Sequence, residues 1–96
     1  MQTIRVESAV DDSRLLQLGV KTWPVWQKEV SEFPWQYNAT EVAYVLEGKV
    51  TVVPDQGEAV SFAAGDLVTF PAGLQCVWQI HSPLRKHYSF DFPDGI

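Results

Sequence analysis

The sequence predicts an all-β fold, an antiparallel barrel or double-sheet jelly roll with one short helix near its N-terminus. From Trp23 onward, short apolar or alternating runs recur at intervals of about ten residues, as in strands. Tight turns rich in Gly, Pro, Asn and Asp separate these runs. Many short, evenly spaced strands of this kind are typical of antiparallel barrels and jelly rolls.

The only predicted helix lies before the strands. Its N-terminus can be capped within Asp11–Ser13, leucines within Leu15–Leu18 give it an apolar side, and Gly19 can end it. A helix of two turns at most is marginal by itself, so it must pack against the rest of the chain.

Eight strands are predicted after the helix. Their ranges are 23–30, 33–37, 41–46, 49–53, 58–63, 67–70, 75–80 and 85–92. The predicted turns between them include Asn38-Ala39, Glu47-Gly48, Pro54–Gly57, Ala64–Asp66, Pro71–Gly73 and Ser82-Pro83. We expect one domain over 1–96, with an N-terminal arm over 1–22 and the barrel over 23–92.

Composition excludes several classes of function. The 96 residues carry twelve acidic and seven basic side chains, a net charge of −5 that repels phosphate backbones, so no nucleic-acid partner is expected. No apolar run approaches the roughly 18 residues of a membrane span, and no membrane partner is expected. The single cysteine, Cys76, excludes an internal disulfide framework. We expect a cytoplasmic protein in which Cys76 is reduced.

The turn residues carry the pattern of a known family. Glu41, six residues and then Gly48 match the end of the first cupin motif, and Gly65, five residues and Pro71-x-Gly73 match most of the second. Over about 23–92 the chain resembles small single-domain cupins. It is most similar to the group that contains the ureidoglycine aminohydrolase cupin domain and the ethanolamine-utilisation Q-type proteins. Further segments that carry this resemblance are Trp23-Pro24-x-Trp26, Leu46–Val50, Gly65–Pro71 and Arg85–Tyr88.

The resemblance implies a metal site of three histidines and one glutamate, but most of these ligands are replaced here. The two histidines of the first motif fall on Trp35 and Tyr37, the glutamate is Glu41, and the histidine of the second motif falls on Cys76. An indole cannot bind a divalent ion, and a catalytic zinc usually has three protein ligands. We therefore expect no metal site of the usual cupin type, and no cofactor.

The same positions predict a pocket for a small molecule. Trp35, Tyr37 and Glu41 share a face of their strand if it is regular, and so do Cys76 and Trp78. Aromatic walls with a carboxylate suit a small ligand, and a cationic or amine-bearing one in particular. The alternative is that the aromatic side chains simply fill the barrel, as in many small barrels.

Candidate catalytic residues are Glu41, Cys76, Lys86 and His87. Cys76 can act as a nucleophile only if a base lies beside it, and His87 is the candidate base. If Ser82-Pro83 forms a two- or four-residue hairpin loop, His87 faces the cavity, whereas a three-residue loop turns Lys86 inward. The alternation of aromatic residues after Lys86 favours the second arrangement, with Lys86 neutralising Glu41.

Three functions remain open. The first is a small-molecule-binding cupin without the usual metal. The second is an enzyme, a hydrolase or isomerase that acts on a small polar nitrogen-containing metabolite without a metal or with an unusual one. The third is an interaction module with a filled barrel, in which Trp23 and Trp26 form a surface for a homodimer. The sequence does not decide whether the protein is an enzyme.

Overall fold

Strands account for most of the regular structure in the computed structural model, which describes residues 3–96. The helix α1 (Asp12–Leu18) follows a first strand, β1 (Arg5–Glu7), and a single 3-10 turn covers Val20–Thr22. Six more strands follow: β2 (Val25–Lys28), β3 (Ser31–Gln36), β4 (Glu41–Pro54), β5 (Val60–Ala63), β6 (Leu67–Phe70) and β7 (Gln75–Ser89). Their pairings are antiparallel. The prediction of an antiparallel all-β fold with one short N-terminal helix is confirmed.

Two long strands, β4 and β7, organise the fold. They pair along their length, from Val42 opposite Ser89 to Pro54 opposite Cys76. The first half of β4 carries β6, which in turn pairs with β1, and its second half carries β5. The strand β7 carries β3 on its first half and β2 on its second half. Each long strand therefore joins two groups of shorter strands.

Two predicted turns lie inside these strands. The register of β4 against β7 shifts between Val45 and Val50, so the segment around Gly48 is a bulged strand and the chain does not reverse there. A Cβ at Gly48 would lie 2.7 Å from the Pro83 carbonyl oxygen, which explains the glycine by a close backbone approach. Pro83 lies in this irregular part of β7, where a missing N–H is tolerated. The predicted hairpin at Ser82-Pro83 is therefore wrong.

The continuity of β7 decides which of its side chains face inward. Cys76, Trp78, Leu84 and Lys86 are all buried at even-numbered positions of one strand. The inward orientation of Lys86 was predicted from a three-residue hairpin loop, but the structure achieves it without a loop. Cys76 and Lys86 lie on the same face in an unbroken strand, as they would after a three-residue hairpin loop. The predicted orientation of Lys86 therefore agrees with the structure, although the predicted loop does not.

Apolar side chains pack in two clusters. The larger one lies between the two groups of strands and contains Tyr37, Ala43, Val45, Val50, Val52, Phe62, Val68, Phe70, Cys76, Trp78, Ile80 and Leu84. The smaller one lies on the other face of β4 and contains Val20, Trp23, Val42 and Leu67.

The N-terminal arm packs against the second cluster. The Asp11 side chain caps α1 by accepting a hydrogen bond from the Arg14 backbone N–H, and Gly19 ends the helix in the left-handed conformation at φ 71°. Trp23 is only 8% exposed and packs on Phe92. It is therefore a buried anchor and not an exposed contact residue.

Within residues 3–96, no helix is long and apolar enough to cross a membrane.

Candidate functional site

A cavity of about 220 Å³ opens beside the larger cluster. Seven aromatic side chains and two charged ones line it: Trp26, Phe33, Trp35, Tyr37, Trp78, Tyr88, Phe90, Glu41 and Lys86. The barrel is therefore not completely filled by its own side chains. The cavity contains four of the five residues predicted to bind a ligand, and Cys76 is the exception.

The pairing of β3 with β7 builds one wall of this cavity. Phe33 lies opposite Trp78, and their rings stack with centroids 6.2 Å apart. After β3 the chain is held by a hydrogen bond from the Gly73 N–H to the Tyr37 carbonyl oxygen. The Tyr37 ring then stacks on Phe70 at 4.9 Å. Aromatic pairs of this kind fix ring positions, so this wall is preformed.

A buried ion pair between Glu41 and Lys86 faces the cavity. The Lys86 Nζ donates to Glu41 Oε2 at 2.6 Å, and each residue is only 5% exposed. Glu41 begins β4, whereas Lys86 lies opposite Val45 farther along that strand and opposite Trp26 of β2. Because both charges are withdrawn from water, each depends on the other for compensation.

Three aromatic rings surround the Lys86 ammonium. Its Nζ lies 4.9 Å from the ring centre of Trp78, 5.2 Å from that of Trp26 and 5.8 Å from that of Phe70. These distances are those of cation–π contacts. The cation for which an aromatic pocket with a carboxylate is suited is thus already present as a side chain of the protein itself.

Tyr37 adds a protonated hydroxyl to the cavity. Burial, together with the negative charge of Glu41, raises the pKa of Tyr37 far above its ordinary value. The hydroxyl therefore keeps its proton at neutral pH and can donate a hydrogen bond. The neighbouring Trp78 Nε1–H is buried and has no hydrogen-bond partner within the described residues. Such an unsatisfied donor is unusual in a folded protein.

Cys76 lies outside the cavity lining. Its side chain is buried, and its Sγ donates to the Trp35 carbonyl oxygen at 3.5 Å. Burial, followed by the charge of Asp55, raises the pKa of the Cys76 thiol from 9.0 to about 11. A reactive cysteine needs a lowered pKa, so this geometry does not support the predicted roles of Cys76 as nucleophile or ligand contact.

His87 also lies away from the cavity lining. It occupies the position after Lys86 on β7, so its side chain leaves the strand on the opposite face. Its Nδ1–H donates to the Trp23 carbonyl oxygen at 2.9 Å, next to the smaller cluster. The structure therefore does not bring His87 to Cys76 or to Glu41. A bond to the backbone instead fixes the position of Trp23.

Four cavity residues were not predicted from the sequence: Trp26, Phe33, Tyr88 and Phe90. The sequence does contain a sign of Tyr88, because Tyr88 shares a strand face with Lys86 and so faces the cavity when Lys86 does. Local sequence places Trp26 on an exposed surface, because it does not reveal the pairing of β2 with β7. Phe33 precedes Trp35 by two positions on β3 and so shares its face.

The donor set does not fit the metal site that the cupin fold implies. Among residues 3–96, no three His, Cys, Asp or Glu side chains are grouped closely enough to hold a metal ion. The one carboxylate at the cavity, Glu41, is already neutralised by Lys86 at 2.6 Å. A divalent cation would have to displace a buried ammonium and would then find no second strong ligand among Trp35, Tyr37 and Trp78.

Comparison with known proteins identifies the family. The family model described as the EutQ-like cupin domain matches residues 15–88. The chain is similar to a DUF861 family protein from Thermotoga maritima, at 45% identity and a TM-score of 0.88, covering 92% of this chain and 99% of that one. No curated protein matches it.

Two ethanolamine utilization proteins are also similar. A putative ethanolamine utilization protein Q from Salmonella typhimurium shares 31% identity over 67% of this chain and 51% of that one, with a TM-score of 0.60. The EutQ protein of Clostridium difficile shares 26% identity over 67% of this chain and 50% of that one, with a TM-score of 0.61. This chain thus spans about half the length of either protein. The match over residues 15–88 confirms the resemblance seen in the sequence, and the chain belongs to the EutQ-like cupin domain family.

Proposed function

We propose that this chain is a small-molecule-binding cupin whose ligand occupies the aromatic cavity beside the Glu41–Lys86 pair. The observation that carries this proposal is the buried ion pair at the wall of a 220 Å³ cavity. Apolar side chains of similar volume often stabilise a core as well as a buried ion pair does. Ligand recognition therefore explains two charges at the wall of a cavity better than a contribution to stability does.

The lining indicates what kind of ligand fits. A cavity of about 150 Å³ admits benzene in another protein, so one of 220 Å³ suits a substituted ring. Exposed or half-buried rings at the rim, such as Trp35 and Phe33, provide faces for stacking. The Tyr37 hydroxyl and the Lys86 ammonium donate hydrogen bonds, so we expect an acceptor such as a hydroxyl, carbonyl or carboxylate on the ligand.

The charge of Lys86 shapes the expected preference. A cationic or amine-bearing ligand, as expected from the sequence, would have to compete with Lys86 for Glu41 and for the faces of Trp26 and Trp78. A neutral or anionic ligand avoids this competition. We therefore favour a neutral or anionic aromatic compound.

Tryptophan fluorescence tests this proposal directly, since Trp26, Trp35 and Trp78 all line the cavity. Benzyl alcohol, benzoate and benzylammonium serve as probes of equal size and different charge. We expect saturable changes with the first two and weaker binding of benzylammonium. Absence of saturable binding by all three would contradict the proposal.

A matched pair of variants locates the binding. Trp35 and Val30 are both about half exposed, at 50% and 57%, but only Trp35 lines the cavity. Trp35→Ala should weaken binding of benzyl alcohol, whereas Val30→Ala should leave it unchanged. Equal effects of the two substitutions would place the probe elsewhere.

A metal-independent hydrolase or isomerase is the second candidate. The observation that favours it is the contact of a carboxylate and an ammonium at 2.6 Å beside the cavity, since such a pair can accept and donate a proton. Its substrate would be a small polar nitrogen-containing compound. The test is to follow a mixture of amides by proton NMR with wild-type protein and Glu41→Gln. Conversion by the wild type alone would support it, and no conversion by either would contradict it.

We do not propose the filled-barrel interaction module. A cavity of about 220 Å³ and a Trp23 side chain that is only 8% exposed are poor support for it. Association into a homodimer stays a prediction of its own. Sedimentation velocity at several protein concentrations tests it.

A further inference from the structure

Lys86 is the one amine among the described residues that line the cavity, and neither the thiol nor an imidazole lines it. We propose that Lys86 reacts covalently, forming an imine with a small aromatic aldehyde or ketone that enters the cavity. This inference rests on the proposed ligand-binding function. It deepens that function by assigning a carbonyl compound as the ligand class and Lys86 Nζ as the bonding atom.

Position distinguishes Lys86 from the exposed lysines of the chain. Lys86 is 5% exposed and its Nζ contacts Glu41, whereas Lys21 and Lys49 are exposed. A carbonyl compound stacked in the cavity is held near Nζ, so its reaction there is effectively intramolecular. Reaction at Lys21 or Lys49 depends on random encounter.

Glu41 supplies the proton transfers that the reaction needs. The Glu41 carboxylate takes a proton from the Lys86 ammonium across their 2.6 Å hydrogen bond and releases a neutral amine. The amine lone pair attacks the carbonyl carbon, the C–N bond forms, and one amine proton passes to the former carbonyl oxygen to give a carbinolamine. Glu41 then returns its proton to the hydroxyl, which leaves as water while the C=N bond forms. The product is a protonated imine opposite a Glu41 carboxylate, and the overall charge is unchanged.

The cavity favours this product for the same reason that it favours the lysine. A protonated imine has the same charge as the ammonium it replaces. The rings of Trp78, Trp26 and Phe70, which surround Nζ at 4.9 to 5.8 Å, therefore remain in contact with a cation, and Glu41 remains its counter-ion. Aromatic walls also limit the access of water, which would hydrolyse the imine.

Reductive trapping tests this proposal. The full chain is incubated with benzaldehyde and sodium cyanoborohydride, and peptide mapping by mass spectrometry follows the benzyl group at each lysine over time. We expect Lys86 to be labelled at least about tenfold faster than Lys21 and Lys49. Equal or slower labelling of Lys86 would overturn the proposal.

Two variants separate general-base chemistry from mere accessibility. Glu41→Gln keeps the size of the side chain but removes the base, and we expect labelling of Lys86 to slow by about a hundredfold. Lys49→Arg, at an exposed site, should leave labelling of Lys86 unchanged. Circular dichroism verifies that both variants are folded. Unchanged labelling of Lys86 in folded Glu41→Gln would refute the role of Glu41.

Failure of this inference can be told apart from failure of the proposed function. Benzyl alcohol has the size of benzaldehyde but no carbonyl group, so its binding reports on the cavity alone. Saturable binding of benzyl alcohol without preferential labelling of Lys86 would overturn only the imine chemistry. If benzyl alcohol does not bind and Lys86 is not preferred, both proposals are wrong.

Discussion

Replacement of Lys86 by methionine measures how strongly the fold depends on the buried pair. Methionine is similarly long and unbranched, so it fills the space and keeps a sulfur near the aromatic rings. It leaves the Glu41 carboxylate 5% exposed and without its counter-ion. Removal of one partner of a buried pair costs about 3–5 kcal/mol, so we expect a loss of about 3–4 kcal/mol in the free energy of unfolding.

The double variant with Glu41→Gln isolates the charge. With both charges removed, no uncompensated ion remains, and the stability should return to within about 1 kcal/mol of the wild type. The coupling energy between the two substitutions should then be at least about 2 kcal/mol.

Urea denaturation and thermal melting at neutral pH provide the assay. For a domain of 96 residues, a loss of 3 kcal/mol corresponds to a fall in Tm of roughly 12 °C or more. A cost below about 1 kcal/mol for Lys86→Met is the magnitude of an exposed pair. That result would refute the reasoning that Glu41 and Lys86 are desolvated.

Three further predictions concern Gly48, Cys76 and Trp23. Gly48 and Gly57 share a φ of 110°, but of the two only Gly48 has backbone atoms within 3 Å of an added Cβ. Gly48→Ala should therefore lower the free energy of unfolding by about 2–3 kcal/mol more than Gly57→Ala. Equal effects in urea denaturation would contradict the close approach of the β7 backbone to Gly48. Burial raises the pKa of Cys76 from 9.0 to about 11, so the folded state holds its proton more tightly than the unfolded state. The resulting contribution to stability is complete below pH 9 and is lost as the pH rises toward 11. Cys76→Ala should therefore show a smaller fall in the free energy of unfolding between pH 8 and 10.5 than the wild type. An equal fall in both proteins would disprove the raised pKa of Cys76. Trp23→Ala should cost about 3–5 kcal/mol because the side chain is buried, whereas Leu16→Ala, at an 82% exposed site on α1, should cost less than about 0.5 kcal/mol in the same denaturation assay.

Local sequence was sufficient for most of the strands and for the helix. Alternation and turn residues place β5 and β6 well, and the cap at Asp11 with the glycine at position 19 locates α1, but the same signals divide β4 wrongly in two at Gly48. β1 was missed, because Arg5–Glu7 is a three-residue strand that exists only through its pairing with β6. A segment this short has too little alternation of its own to predict a strand.

Gly48 and Pro83 show why residues that are typical of turns can predict a turn where a strand continues. In most sequences such residues end a strand, since glycine weakens it and proline cannot donate to the ladder. Here they occupy the irregular zone in which β4 and β7 approach each other closely. Gly48 is required because the backbone of β7, about 35 residues away in the chain, approaches it closely. No local pattern can reveal this approach.

The sequence by itself determined the fold class, the family resemblance and several of the side chains that line the cavity, since Trp35, Tyr37, Glu41 and Trp78 are found there together. The sequence favoured Lys86 over His87 as the cation beside Glu41, and the tertiary structure decided between them. Lys86 and His87 are adjacent, and strand continuity turns one toward the carboxylate and the other toward the Trp23 backbone. The physical reason is that successive strand residues face opposite sides, so one residue of difference in the path at Ser82-Pro83 exchanges the two side chains.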